Sequence, residues 1–169
     1  MAPRGALAAK PAVRGRHAPG ARLVQRVPTT GAMSKHTTIP EIRKYMTTVP
    51  HTIGADQTMA RAHEVMREYR LRHLPVMSDQ RLVGVVTDGD LHTIETLRGA
   101  DPDKVKIRDA MTRHVYAVAP DAPLDQVLEE MARQKYGSAV VVDNGHVVGI
   151  FTTVDACQAF ADTLRARVA

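Results

Sequence analysis

The chain contains no tryptophan, two phenylalanines and four tyrosines among 169 residues, so any core must be built from aliphatic side chains and methionine. A single cysteine, Cys157, excludes an internal disulfide framework and any multi-cysteine zinc site. One thiol suits a reducing compartment, and a cytoplasmic setting is expected. No apolar run approaches the ~18 residues of a membrane-crossing helix. The sequence has no Walker loop, no GxGxxG turn and no Gly-x-Ser-x-Gly elbow. No nucleophile and base can be paired from it, so an enzyme is not expected.

Acidic residues are missing from the first 40 positions, which carry seven Lys or Arg. The overall charge of +5 therefore belongs to this segment, and the remainder is slightly acidic. Rich in Ala, Gly and Pro, and poor in large apolar side chains, residues 1–35 cannot offset the entropy of ordering and are expected to be disordered. Other readings are a transit peptide, or a basic arm touching nucleic acid or anionic lipid. The favoured one is a solvated extension, with translation starting at Met1 or at Met33.

What the chain does have is an internal repeat. Residues 42–91 align without a gap on 107–156, an offset of 65 positions, and 12 of the 50 pairs are identical. Unrelated segments of ordinary composition would share roughly three. The identities include Met46/Met111, Thr47/Thr112, Gly84/Gly149, Thr87/Thr152 and Asp90/Asp155. The chain is thus two copies of one unit.

Each copy predicts the same order. A short helical turn (40–46; 105–111) leads into an extended piece (50–53; 115–118). A helix follows, about 58–70 and 123–135, with Asp121 the expected cap of the second. Leu124, Val127, Leu128 and Met131 mark its buried face. Two strands come next (74–77 and 82–86; 139–142 and 146–151), and Asn144-Gly145 signals a tight hairpin. A final helix spans about 88–98 and 153–166. The expected fold is α/β (α+β): two β-α-β-β-α repeats packed through their sheets with pseudo-twofold symmetry. A lone unit of roughly 55 residues buries too little surface to stand alone. The expected boundaries are 36–99 for the first repeat, 100–104 for a linker and 105–169 for the second. Met59, Met66 and Met111 are expected in the core, and Cys157 is expected to pack as a small hydrophobe.

This pattern resembles a tandem pair of CBS (cystathionine β-synthase) domains, a Bateman module. The resemblance rests on Met46-Thr47, on His73-Leu74-Pro75-Val76, and on Leu82-Val83-Gly84-Val85-Val86-Thr87-Asp88-Gly89-Asp90. In the second copy it rests on Met111-Thr112, on Ala139-Val140-Val141-Val142, and on Val147-Val148-Gly149-Ile150-Phe151-Thr152-Thr153-Val154-Asp155. It implies a stand-alone regulatory module that binds an adenosine-containing molecule (AMP, ADP, ATP or S-adenosylmethionine) between the repeats and works as a homodimer. No other cofactor is implied, although Asp88 and Asp90 could hold an accompanying Mg²⁺. A regulated protein partner is left open, and a membrane partner is not expected. The alternatives are an unliganded dimerisation scaffold and, less favoured, a nucleic-acid binder using the basic arm.

The candidate site follows residue by residue. Asp90 and Asp155 can accept hydrogen bonds from adjacent ribose hydroxyls, while Thr87, Thr152 and the free amides of the following helix can meet ribose or phosphate. The same Thr-x-x-Asp spacing is also a capping box, in which both side chains serve only the helix. By the resemblance, adenine contacts Pro50, His51 and Thr52 with His73, Leu74 and Pro75 in the first copy. In the second it contacts Val115, Tyr116 and Ala117 with Ser138, Ala139 and Val140. Tyr116 could stack on a base or be partial core. Val140 stands where the family usually has proline. Arg70, Arg72, His73, Arg113, His114 and Lys135 could neutralise phosphates, or be solvated surface.

Overall fold

A hydrophobic residue in a lead-in segment needs a groove to fill, and in this protein the groove belongs to the other repeat. The computed structural model describes residues 39–97 and 99–167; the basic extension expected at 1–35 lies outside the described residues. A 3-10 turn at Ile42–Lys44 leads into strand β1 (Thr47–Thr48). Then come β2 (Ile53–Gly54), helix α1 (Met59–Tyr69), β3 (His73–Ser78), β4 (Arg81–Thr87) and α2 (Asp88–Glu95). The second repeat gives α3 (Ile107–Ala110), β5 (Ala117–Val118), α4 (Leu124–Gln134), β6 (Ser138–Asp143), β7 (His146–Thr152) and α5 (Thr153–Ala166).

Strand β1 pairs antiparallel with β7, Thr47 opposite Ile150. This gives a four-stranded sheet in the order β1-β7-β6-β5, beside a three-stranded sheet β2-β3-β4. The equivalent lead-in of the second repeat bridges back: Thr112 faces Val85, with reciprocal N–H to C=O bonds of 3.0 and 2.9 Å. Ile42 N–H donates to Ala122 O, and Ile107 N–H to Gln57 O, both at 2.9 Å. These pairs are related by the same 65-residue offset, so the pseudo-twofold axis read from sequence is realised as a mutual exchange of lead-ins.

Two cores result: the first is aliphatic with methionine, while the second, against the all-aliphatic expectation, also buries the ring of Phe151. Ile107 is fully buried among Ile53, Met59, Leu74, Val76 and Leu91 of the first repeat, and Ile42 among Leu124, Met131, Ala139 and Phe151 of the second. Burying one such side chain contributes about 1.5–3 kcal/mol, so each half draws part of its stability from the other. Met59 and Met66 are core residues and Met111 packs at the core edge, as the sequence predicts.

The hairpins turn through Asp79-Gln80 and Asn144-Gly145, all with positive φ, the two-residue geometry whose twist matches the strands. Helix α4 corrects one expectation. Its N-cap is Pro123 rather than Asp121, with no side-chain bond. Leu124 N–H instead donates to Pro40 O at 2.9 Å, so the exchanged lead-in satisfies a free amide of the helix start. Cys157 is a second correction: it is exposed, not packed. The core-facing side of α5 is held by Ala156 and Ala159.

Candidate functional site

Each repeat's second hairpin strand runs directly into a helix, and the Thr-x-x-Asp sits at that junction. In the first repeat, Thr87 N–H and Thr87 Oγ1 both donate to Asp90 Oδ2, at 2.9 and 2.7 Å, while Asp90 N–H donates to Thr87 Oγ1 at 3.1 Å. In the second, Thr152 N–H and Oγ1 donate to Asp155 Oδ2 at 2.7 and 2.8 Å. The capping role is therefore met in both copies. Every one of these carboxylate bonds falls on Oδ2. Among the described residues no hydrogen bond is formed by Oδ1 of either acid, so each half-buried carboxylate retains an acceptor.

Strand pairing brings the next candidates alongside. His73 lies opposite Thr87, and Ser138 opposite Thr152. His73 also reaches across the molecule: a Cβ placed on Gly137 would lie 3.0 Å from its Nε2. A side chain of the first repeat thus packs on backbone of the second. Burial lowers the His73 pKa below 6.5; the nearby Asp90 carboxylate opposes this and Arg72 reinforces it. At neutral pH the ring is uncharged, one donor and one acceptor beside the Thr87–Asp90 pair.

The adenine-side candidates divide by repeat. Leu74, Pro75, Ala117, Ala139 and Val140 are buried, so only their backbone could meet a ligand. Pro50 and Val115 are half-buried. His51 and Thr52 are exposed, and the His51 ring stacks on Tyr69 with centroids 3.7 Å apart. Tyr116 stacks on Tyr136 at 5.3 Å and packs against the second core. Burial pushes its phenol up to about 12. The partial-core reading of Tyr116 fits this placement.

The basic candidates are scattered. Arg70 and Lys135 are left-handed C-caps of α1 and α4, and Arg113 donates to Arg108 O at 3.2 Å. A cavity of about 510 Å³ that sequence reasoning missed lies between α1 and α2, lined by His63, Arg67, Arg70, Arg72, Asp88 and Glu95 among others. It touches the candidate site through Arg72 and Asp88, whose N–H donates to Arg72 O. The sequence had singled out Arg70, Arg72 and Asp88 but not their convergence with His63, Arg67 and Glu95, because the lining joins α1, the segment after it and α2. Among the described residues no group of three or more His, Cys, Asp or Glu is placed to hold a metal. No described helix is long and apolar enough to cross a membrane.

Comparison with known proteins places this geometry. The CBS domain family model matches twice, at 42–94 and 107–162. A CBS domain-containing protein of Bacillus subtilis, YhcV, is 25% identical over 68% of this chain and 81% of its own length. L-aspartate semialdehyde sulfurtransferase of Methanocaldococcus jannaschii is 27% identical over 82% of this chain, but this chain spans only 27% of that protein. The other curated relatives matched near it are likewise covered over well under half their length. The solved CBS domain pair of protein MJ0100, in complex with 5′-methylthioadenosine and S-adenosylmethionine, superposes with a TM-score of 0.67 at 26% identity, over 74% of this chain and 98% of that one. Matched in both repeats, in order and over most of its described length, this chain belongs to the CBS domain family as a tandem pair.

Proposed function

We propose that the chain is a regulatory module that binds an adenosine-containing molecule between its repeats and is not itself an enzyme. The observation that carries this reading is the pair of Thr-x-x-Asp junctions, each with one carboxylate oxygen outside the capping bonds. That oxygen has two lone pairs and can accept from both ribose hydroxyls. The bound adenosine derivatives of the MJ0100 pair support the ligand class. Because each lead-in is docked on the opposite half, a ligand gripping both halves favours one relative placement, and the shift is limited to its differential affinity. A homodimer that passes this change to a regulated protein, in the cytoplasm, completes the proposal; Mg²⁺ at Asp88 and Asp90 would accompany a phosphorylated ligand.

Thermal melting with AMP, ATP or S-adenosylmethionine tests it. At 100 times its Kd, the right ligand adds about 2.7 kcal/mol. Asp90→Ala lowers the ligand-free melting point through the lost cap and also shrinks the ligand-induced rise. No rise with any of the three probes overturns the proposal. It would favour the second reading, an unliganded scaffold, which the already satisfied capping bonds also accommodate.

A further inference from the structure

The two extended segments that precede α1 and α4 are not equivalent, and the difference starts at one backbone nitrogen. In the second repeat Val140 N–H donates to Tyr116 O at 2.9 Å. This starts the parallel β5–β6 ladder at Ala117 opposite Val140. The matching position in the first repeat is Pro75, which has no N–H to donate. The β2–β3 ladder accordingly starts one residue later, at Ile53 opposite Val76. The carbonyl of His51 therefore cannot be capped as that of Tyr116 is.

Side-chain burial follows the same division. Thr52 is exposed where its counterpart Ala117 is buried, and His51 is exposed where Tyr116 is half-buried against Tyr136. The extra ladder bond draws the second segment onto its sheet. The first segment stays open, with a backbone acceptor facing no strand partner.

Resting on the adenosine reading above, we propose that the first repeat's cleft alone takes the ligand, because Pro75 leaves the His51 carbonyl uncapped, and that the Val140 N–H, by capping Tyr116 O, closes the second cleft.

Isothermal titration of the full chain with AMP, ATP and S-adenosylmethionine separates this from the parent reading. The expected result is one equivalent per chain. Pro75→Val, which restores the N–H, weakens it at least tenfold, about 1.4 kcal/mol. Val140→Pro admits a second equivalent. Amide shift mapping of the unaltered chain gives a readout independent of any variant: His51 and Thr52 respond, Tyr116 and Ala117 do not. Two equivalents in the unaltered chain, a response at Tyr116 and Ala117, or one equivalent that survives Pro75→Val in a folded chain overturns this inference while leaving adenosine binding standing. No binding of any probe overturns both.

Discussion

At the residue scale, Thr87 and Asp90 show how one pair can serve two purposes. The spacing of three was legible in the sequence, and so was the ambiguity between helix cap and ribose ligand. The structure supplies the cap bonds through Oδ2 and leaves Oδ1 free, so the cap does not exhaust the carboxylate. His73 is different. Sequence placed it beside the ligand segment but gave no hint that it packs on Gly137 of the other repeat, a contact made across roughly sixty intervening residues. Its consequence is a pH dependence. The folded pKa of His73 lies below 6.5, so protonation favours the unfolded chain. The stability it contributes is complete above about 6.5 and is lost as the pH falls through the lower folded value. The expected outcome is a melting point that drops between pH 7.5 and 5.5, by less in His73→Gln. An equal drop in that variant would assign the effect to other groups.

At the element scale, the decisive contacts are two glycines facing two methionines. A Cβ on Gly84 would lie 2.6 Å from Met111 Sδ and 3.0 Å from the Thr112 carbonyl oxygen. A Cβ on Gly149 would meet Met46 in the same way. Each glycine sits in the strand of one repeat and each methionine in the lead-in of the other, so the missing side chain is what lets the lead-in lie close. Gly84→Ala should cost about 1–3 kcal/mol through overpacking, as measured by urea denaturation. The strand positions were visible in the sequence from short apolar runs flanking the hairpin turns. The reason for Gly at 84 and 149 was not, because neither neighbour is local in the chain. The cap of α4 went unread for the same reason: its partner, Pro40 O, belongs to the exchanged lead-in.

At the scale of the whole molecule, the exchange makes each half depend on the other's first residues. Ile42 and Ile107, both fully buried, are the anchors. Truncating either to Ala should cost about 2–5 kcal/mol. The location of the damage is the sharper expectation. Ile42→Ala should raise amide exchange in β6 and β7, and Ile107→Ala in β3 and β4. Loosening of β3 and β4 by Ile42→Ala would mean that the lead-in serves its own repeat. The cavity between α1 and α2 belongs to this scale as well, since separate stretches of chain define it.

The sequence by itself determined the duplication, the type and order of the elements, the mainly aliphatic character of the cores and the Thr-x-x-Asp junctions. These depend on local periodicity, turn chemistry and an offset that can be read along the chain. Only the tertiary structure decided which half each lead-in joins, what His73 touches and where each parallel ladder starts. Two repeats of one fold offer each lead-in two similar grooves, so pattern alone cannot choose between them. The choice rests on contacts between residues far apart in the chain, Ile107 with Ile53 and Leu74, and Ile42 with Leu124 and Phe151.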